Sequence, residues 1–307
     1  MNVAGFFNRW RAKTTPRTAP HVPPVSQAEG LLPPLVVEAE RIARQLMMGV
    51  HRQRRAGAGE DFWQYRQAMP HEPAHRIDWR QSARGDQLWV RQREAEGTQQ
   101  LALWCDPSAS MDWRSNDNLP TKRQRAMLCT LALAGATLHG GERVGLLTGP
   151  EAGRHFAGAY SLPRLAQGLA ASMADTPPQP DLLRAHGQLV IVSDFLWPLE
   201  RLEAVLRDVA ARPARVQLLC VLDPAECDLP YRGRIRFESL EQDDALTLPT
   251  VEELAPAYHA AMTSHLDALR TMARAYRAEL TLHMTDHAPL PALLALYARL
   301  SGGKMPS

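Results

Sequence analysis

The chain has 307 residues, of which 45% are apolar and 22% are charged, a balance typical of a folded globular protein rather than a disordered one. Its 35 basic and 33 acidic side chains give a formal charge of +2, which is too small to favour nucleic acid as a partner. Because the sequence contains no apolar run of the roughly 18 residues that a membrane helix needs and no apolar core of a secretory signal, we expect a cytoplasmic protein without an integral membrane segment.

Residues 1–34 are predicted to be a flexible, proline-rich tail. Six prolines lie between positions 14 and 34, a density that argues against a helix or an inner strand. Phe6, Phe7 and Trp10 stand among basic residues ahead of them. A peripheral contact of this peptide with a membrane or a partner is therefore open as an alternative to a frayed terminus.

Residues 35–98 are predicted to form an N-terminal helix and an Arg/Trp-rich extension. Apolar residues at helical spacing predict the helix over 35–50; they are Leu35, Ile42, Leu46 and Val50. The stretch from 60 to 98 is aromatic and rich in arginine, with a predicted strand over 88–91.

Strands and helices alternate from residue 99 to residue 301. The predicted strands are 101–105, 143–147, 189–192, 216–222 and 280–283, and the predicted helices are 119–139, 161–173, 199–211, 251–276 and 290–300. Apolar strands that alternate with helices predict a mostly parallel α/β sheet with helices on both faces.

A polar motif, Asp106-Pro-Ser108-Ala-Ser110-Met111, directly follows the first of these strands. Groups at the carboxyl ends of parallel strands converge in the crevice where ligands bind, and carboxylate and hydroxyl oxygens suit Mg²⁺. The motif alone equally describes a helix-capping turn. Asp194, however, ends another apolar strand in the same way, so the two acids are expected to face one site if their strands are neighbours.

A parallel α/β domain with D-x-S-x-S after its first strand and an aspartate after a later strand resembles a von Willebrand factor A domain, whose fold is Rossmann-like. The resemblance implies a metal-ion-dependent adhesion site for Mg²⁺, Mn²⁺ or Ca²⁺, completed by a carboxylate from a partner. The residues that match the family's metal ligands are Asp106, Ser108, Ser110 and Asp194. The family's threonine has no clear counterpart, and Thr148 and Ser161 are weaker candidates for it, so a site that holds no metal is an alternative.

Further motifs make the resemblance specific to one family. The chain is similar to the domain-of-unknown-function 58 family from about Arg54 onward, on the segments Gly57–Phe62, Arg76–Arg84 and Ser193–Phe195. Members of that family are bacterial von Willebrand A-like proteins often encoded beside MoxR-type AAA+ ATPases, so the resemblance implies such an ATPase as partner. Where the family usually has Pro-Gly-Asp-Asp, this chain has Pro70-His71-Glu72-Pro73, which keeps an acid and loses the glycine turn.

The segment Arg76-Ile77-Asp78-Trp79 has two interpretations. Its charged residues are Arg76, Arg80, Arg84 and Arg91 with Asp78. They are expected to form an ion-pair lattice that docks this region on the domain, and the alternative is a binding site for a phosphate or an acidic partner.

The same region contains a formal match to the zinc-protease motif H-E-x-x-H, in His71-Glu72-Pro-Ala-His75. That chemistry needs both histidines one turn apart on a continuous helix. Pro70 and Pro73 interrupt such a helix, and a strand-like Ile-Asp-Trp follows at once. We therefore expect His71 and His75 not to converge on a metal.

Two features of the composition are assigned no chemistry. Only Lys13, Lys122 and Lys304 are lysines, and we attribute the excess of arginine to genome composition. The four cysteines form no C-x-x-C pair and no zinc spacing, so they are expected to be reduced residues of the core.

The sequence therefore predicts a non-enzymatic, metal-dependent protein-interaction module without catalytic residues, serving as adaptor or co-chaperone of a MoxR-type AAA+ ATPase. The alternatives are a metal-dependent hydrolase at the Asp106 site, a zinc peptidase through His71, Glu72 and His75, and a scaffold with an empty metal site. The sequence lacks a P-loop, a dinucleotide-binding loop and a nucleophile elbow.

Overall fold

The computed structural model describes residues 11–13, 25–56, 64–68, 77–85, 87–92, 100–172, 177–183, 187–212, 214–238 and 245–301. The chain divides into a larger unit, residues 1–50 with 99–307, and a smaller unit, residues 51–98.

The secondary structure follows the predicted alternation. The strands are β1 (Arg11–Lys13), β2 (Gln64–Gln67), β3 (Trp89–Gln92), β4 (Gln100–Cys105), β5 (Arg143–Leu146), β6 (His155–Ala157), β7 (Gln188–Ser193), β8 (Arg215–Leu222), β9 (Ile235–Glu238), β10 (Ala245–Leu248) and β11 (Glu279–Met284). The helices are α1 (Val25–Ala56), α2 (Trp79–Ser82), α3 (Lys122–His139), α4 (Leu162–Ala170), α5 (Leu199–Ala210), α6 (Pro224–Asp228), α7 (Ala255–Ala275) and α8 (Pro289–Leu300).

A six-stranded sheet in the order β11-β8-β7-β4-β5-β6 forms the centre of the larger unit. All neighbouring strands are parallel except β6, which runs antiparallel to β5 at the edge. Counted along the chain, the six strands have the order 3-2-1-4-5-6 of a doubly wound fold. The prediction of an α/β fold with a mostly parallel sheet is confirmed.

Helices cover both faces of this sheet, because the side chains of each strand alternate between two cores. In β4, Leu101 and Leu103 belong to one core, which also contains apolar residues of α1, α3, α4 and α8. Ala102 and Trp104 belong to the other core, with residues of α5 and α7. Because α3 follows β4 on one face and α5 follows β7 on the other, the carboxyl ends of β4 and β7 form the topological switch point, where ligands bind in such sheets.

Helix α1 corrects the prediction for the N-terminal region. We expected no helix before residue 35, yet α1 begins at Val25 and contains Pro33 and Pro34, and β1 pairs with β9 within the predicted tail. Each proline removes one backbone hydrogen bond. The buried face that follows, formed by Ala39, Ile42, Ala43 and Leu46, stabilises the helix enough to outweigh those losses.

The approach of α1 to α3 depends on a glycine. A Cβ atom at Gly135 would lie 3.0 Å from Cβ of Ala43, closer than ordinary van der Waals contact. Because Gly135 has no side chain, α1 and α3 pack closely against each other. The buried residues of α1 are thereby part of the core of the larger unit. The extension predicted for 35–98 is therefore divided at residue 50, between the two units.

The smaller unit contains β2 and β3 as an antiparallel pair. Of Ile77-Asp78-Trp79, predicted as strand-like, Ile77 forms an isolated β-bridge, whereas Trp79 begins the short helix α2. Asp78 is its N-cap and accepts a hydrogen bond from the backbone N–H of Gln81 at 3.0 Å, the use of an aspartate that helix starts favour. The segments 57–63 and 69–76, which include the predicted His71, Glu72 and His75, lie outside the described residues.

Three of the four cysteines are buried, on β4, α3 and β8: Cys105, Cys129 and Cys220. Burial raises the pKa of Cys105 and of Cys129 to about 12, so both are thiols at neutral pH. In the part of the chain that the structure describes, no helix combines the length and the apolar character required to cross a membrane.

Candidate functional site

Two of the predicted site residues, Asp106 and Asp194, are brought together by strand pairing. Strand β4 pairs with β7 in parallel register, with Cys105 opposite Val192, and the backbone N–H of Asp106 donates to the Val192 carbonyl at 2.8 Å. Asp106 and Asp194 therefore follow the carboxyl ends of adjacent parallel strands, as the sequence predicts.

Two serines connect these acids through a chain of hydrogen bonds. The Ser108 N–H donates to Oδ1 of Asp106 at 2.8 Å, and Oγ of Ser108 lies 3.0 Å from Oγ of Ser110. Ser110 donates its hydroxyl proton to Oδ2 of Asp194 at 2.8 Å. We call Asp106, Ser108, Ser110 and Asp194 the four-residue site.

The turn after β7 is held in an unusual backbone conformation. Phe195 has a φ of 51°, which is rare for a bulky residue and requires support from its surroundings. Nε2 of His265 lies 2.8 Å from the Phe195 carbonyl, and the Phe195 N–H donates to Oγ of Ser193 at 2.9 Å. These contacts direct the Asp194 carboxylate into the site.

Ser193 joins the two turns, although the sequence analysis assigned it no role of its own. Its hydroxyl donates to Oδ2 of Asp106 at 2.6 Å and accepts from Nε1 of Trp197 at 3.1 Å. The Phe195 N–H is a second donor to the Ser193 hydroxyl. The Asp106 carboxylate is therefore held by Ser193 at Oδ2 and by the Ser108 N–H at Oδ1.

Lys122 is a charged residue of the site that the sequence did not single out. It is the first residue of α3, its side chain is completely buried, and Nζ lies 2.6 Å from Oδ2 of Asp194 and 2.6 Å from Oε1 of Glu226. The ammonium therefore lies between two buried carboxylates, of which one belongs to the four-residue site.

Glu226, the second partner of Lys122, is held in place by its own contacts at the start of α6 and with α7. Its Oε2 accepts from the backbone N–H of Asp223 at 3.0 Å, as part of the capping box that begins α6. The hydroxyl of Tyr258 on α7 donates to the Glu226 carbonyl. Asp223 in turn accepts from the N–H of Ser115 at 3.0 Å, in the loop that follows the D-x-S-x-S motif.

Arg123 fixes the rim of the site. It forms an ion pair with Asp112, and its guanidinium donates to the carbonyls of Pro107 and Ser108 at 2.9 and 3.1 Å. A planar guanidinium can satisfy all of these acceptors at once. The D-x-S-x-S turn is therefore restrained by side chains as well as by its backbone.

The electrostatics of the site are dominated by buried negative charge. The pKa of Asp106 is raised above its ordinary value, first because burial disfavours the charged form and then because the Asp194 carboxylate repels it. Hydrogen bonds from Ser193 and Ser108 lower that pKa but do not cancel the rise. Asp194 and Glu226 share the single charge of Lys122, so Asp106, Asp194 and Glu226 together exceed the lysine by two negative charges.

The four-residue site has the oxygen donors that a hard divalent cation requires. Oγ of Ser110 lies 2.8 Å from Oδ2 of Asp194 and 3.0 Å from Oγ of Ser108. Adjacent ligands of an octahedral Mg²⁺ lie about 2.9 Å apart, since each bond is about 2.0–2.1 Å long. Among the described residues no cluster of three or more His, Cys, Asp or Glu side chains is arranged as metal ligands. The four-residue site offers two carboxylates and two hydroxyls, which are ligand types of the kind that Mg²⁺ with retained water molecules takes.

The two weaker candidates lie apart from this chain of hydrogen bonds. Thr148 is buried two residues after β5 ends. Ser161 donates its hydroxyl to the Ala157 carbonyl at 2.8 Å, at the start of α4. Within the described residues, neither side chain is hydrogen-bonded to the four-residue site.

One signal in the sequence could have identified Lys122. The chain uses arginine for nearly all of its positive charge, and Lys122 is one of three exceptions. It also follows Thr121, the N-cap of α3, where a cation opposes the helix dipole. A rare lysine at an electrostatically unfavourable position indicates a specific partner, but which carboxylates it contacts depends on the tertiary structure.

A comparison with protein families agrees with the resemblance to the domain-of-unknown-function 58 family. A family model described as "Protein of unknown function DUF58" matches residues 64–268, which is more than half of the chain. Uncharacterized proteins of Mycobacterium bovis and Mycobacterium tuberculosis are 29% identical over 202 residues, which is 60% of this chain and 62% of each relative. The similarity thus spans less than two thirds of these relatives' length.

A solved structure is also similar to part of the chain. It is described as the conserved hypothetical protein BatB from Bacteroides thetaiotaomicron, and it is 12% identical with a TM-score of 0.35. The match covers 66% of this chain and 98% of that structure.

Proposed function

This chain belongs to the DUF58 family of proteins of unknown function, and from that premise we propose that it is a non-enzymatic protein-interaction module. In this proposal the four-residue site binds Mg²⁺ or a similar divalent cation, and an acidic side chain of a partner protein completes the coordination. The von Willebrand factor A-like fold is part of the proposal, and the 3-2-1-4-5-6 strand order supports it.

The observation that carries the proposal is the pair of buried carboxylates at the switch point. Asp106 and Asp194 are linked through the Ser108 backbone N–H and the hydroxyls of Ser108 and Ser110, and burial together with the repulsion from Asp194 raises the pKa of Asp106. A divalent cation between them would remove that repulsion, and hydroxyl ligands would leave part of its positive charge available to attract an anion. An acidic side chain is the anionic ligand that a protein partner can supply.

The partner proposed is a MoxR-type AAA+ ATPase, on the family resemblance. The chemistry of the site supports the kind of contact rather than the partner's identity. A cation held by two carboxylates and two neutral hydroxyls favours a further hard oxygen ligand, and a glutamate or aspartate on the ATPase surface has that chemistry.

Substitution of Asp106 tests the cation. Asp106→Asn keeps the shape of the side chain and removes one of the two charges, so we expect Mn²⁺ affinity, measured by electron paramagnetic resonance, to fall at least about tenfold. Asp267→Asn is the matched control, because Asp267 is exposed on α7 and pairs with Arg270. The control should bind Mn²⁺ as the unmodified chain does.

Association with the ATPase tests the module. The purified chain should bind a purified MoxR-type ATPase in Mg²⁺, lose that binding in a chelator, and lose it in Asp106→Asn. If the unmodified chain and Asp106→Asn bind the ATPase equally well with and without chelator, the proposed metal-dependent contact is wrong.

A further inference from the structure

We propose that Lys122 is an internal cation that competes with the divalent ion for Asp194 and thereby sets the metal affinity of the four-residue site. This inference rests on the proposed function for the presence of the ion, and it adds how the protein regulates that ion. Lys122 is a positioning residue in this role, because it acts on the metal through Asp194.

The position of Lys122 in α3 indicates that it has a specific task. It is the first residue of the helix, after the Thr121 N-cap, where the positive end of the helix dipole makes a cation unfavourable. Helix starts favour acidic residues instead. The favourable energy that keeps a lysine there must come from its contacts with Asp194 and Glu226.

Burial makes those contacts specific. The Lys122 side chain is 0% exposed, and those of its two partners are 1% and 0% exposed. A buried ammonium requires anionic or hydrogen-bonding partners, since its loss of hydration is costly. Both distances are 2.6 Å, so the lysine bridges the four-residue site and helix α6.

The choice of lysine in an arginine-rich chain fits a competing cation. An arginine would hold a carboxylate through two parallel hydrogen bonds in a fixed plane. An ammonium is a compact point charge on a flexible stem, so it can bridge two carboxylates and can also rest on one of them. The chain uses arginine at the rim, where Arg123 holds Asp112 in a bidentate pair, and lysine inside.

Competition follows from the atom that the two cations would share. Oδ2 of Asp194 accepts from Ser110 and from Lys122, while its Oδ1 accepts from the Leu196 N–H at 3.1 Å. A metal bound to the Ser110 and Asp194 oxygens would meet a carboxylate that Lys122 already neutralises in part. Positive charge so close to the ion lowers the ion's affinity.

Glu226 provides the second resting place for the ammonium. Its carboxylate is fixed by the Asp223 N–H and its carbonyl by the Tyr258 hydroxyl, so it stays in position whether or not Asp194 is bound to Lys122. In the metal-bound state the lysine can therefore remain on Glu226 while Asp194 turns toward the ion. Metal occupancy is thereby linked to α6 and to the α7 residue that contacts it.

The double variant Lys122→Met/Glu226→Gln tests this inference without a change in the total charge of the site. It removes one positive and one negative charge together, and the amide oxygen introduced by Glu226→Gln can still accept from the Asp223 N–H. Because the ammonium beside Asp194 is gone, we expect the variant to bind Mn²⁺ at least about tenfold more tightly than the unmodified chain. Glu226→Gln alone, which keeps Lys122 on Asp194, should bind Mn²⁺ no more tightly than the unmodified chain.

If Lys122 served only to stabilise the fold, its removal would loosen the site, and the double variant would bind Mn²⁺ more weakly than the unmodified chain. Circular dichroism establishes that each variant is folded. If the methionine version does not fold, Lys122→Gln/Glu226→Gln replaces it, because the amide keeps a donor for Asp194.

The outcomes separate the two proposals. Equal or weaker Mn²⁺ binding by the folded double variant overturns the role of Lys122 and leaves the proposed function intact if the unmodified chain binds the ion. If the double variant binds Mn²⁺ tightly and the unmodified chain does not bind it, the role of Lys122 is supported and metal binding by the natural chain is overturned. Absence of Mn²⁺ binding in both overturns both proposals.

Discussion

Asp194 accepts hydrogen bonds from Ser110, Lys122 and the Leu196 N–H, so three different segments of the chain determine its position. Asp106 is held by Ser108 and Ser193 and, among the described residues, lacks the contact to an ammonium that Asp194 has. The two acids therefore differ in role: Asp194 is the acid shared with the internal cation, and Asp106 is the acid whose charge is least balanced.

Loss of Lys122 alone should destabilise the protein strongly. In Lys122→Met, Asp194 and Glu226 stay buried without their cation, and removal of one partner of a buried ion pair costs about 3–5 kcal/mol. Urea unfolding in the presence of a chelator measures this cost. Arg270→Met, at an exposed ion pair, should change the free energy of unfolding by about 0.5 kcal/mol or less. A loss below about 1 kcal/mol in Lys122→Met would show that the buried pair contributes little.

Loss of the Ser193 hydroxyl should affect both turns of the site. Ser193→Ala removes a donor from Asp106 and an acceptor from Trp197 and Phe195, and unsatisfied buried groups cost about 1–3 kcal/mol. Chemical denaturation checks the loss, with Ser172→Ala, whose hydroxyl makes one local bond to the Gly168 carbonyl, as the milder comparison. Equal stability of the two variants would contradict the role assigned to Ser193.

At the scale of elements, α1 belongs to the core rather than to a separate extension. Its buried face contacts the core that also contains α3 and α8. Ile42 is buried while Val37, on the same helix, is 69% exposed, so the two positions provide a matched pair.

Truncation of Ile42 should therefore behave as a core substitution. Ile42→Ala is expected to lower the free energy of unfolding by about 2–5 kcal/mol, because it removes buried methyl groups and leaves a cavity. Val37→Ala should change it by about 0.5 kcal/mol or less. Thermal unfolding of the two variants side by side decides the question, and similar melting temperatures would show that α1 does not stabilise the domain.

At the scale of the whole molecule, His283 makes folding sensitive to acid. Burial lowers its pKa from 6.5 to about 4, with the Arg125 guanidinium as a further cause, and its Nε2 has no hydrogen-bond partner among the described residues. Of the other groups around it, His287 also lowers this pKa and Asp286 raises it.

The sign of the effect follows from proton linkage. The unfolded chain binds a proton at His283 below about pH 6.5, while the folded chain does so only near pH 4, so this contribution to stability is complete above pH 6.5 and is lost as the pH falls toward 4. Asp106 acts oppositely, because its raised pKa favours the folded state when it is protonated.

Replacement of His283 isolates its contribution. Between pH 6 and pH 4.5 the unmodified chain should lose about 1 kcal/mol per pH unit more than His283→Gln. Urea unfolding at several pH values measures the difference, and His259→Gln, at an exposed histidine, should keep the slope of the unmodified chain. Parallel pH profiles for the unmodified chain and His283→Gln would contradict the prediction.

The sequence by itself determined the alternation of strands and helices and the place of Asp106 and Asp194 after two buried strands, while the pairing of β4 with β7 that brings the two acids together is a property of the tertiary structure. Apolar runs and helical spacing are local properties, and an aspartate that follows a buried parallel strand lies at the ligand-binding edge in any order of strands. Helix ends were less predictable. The helix predicted over 251–276 begins instead at Ala255, with Pro256 in its first turn.

Only the tertiary structure decided which charged side chains of the site neutralise one another. Lys122 meets Asp194 across 72 residues and Glu226 across 104 residues, and no local pattern encodes those contacts. The same holds for α1, whose two prolines argue against a helix until its apolar face is seen against the core. In both cases burial against distant residues outweighs the local preference, because desolvated charges and apolar surfaces gain their favourable free energy only from the partners that the fold brings to them.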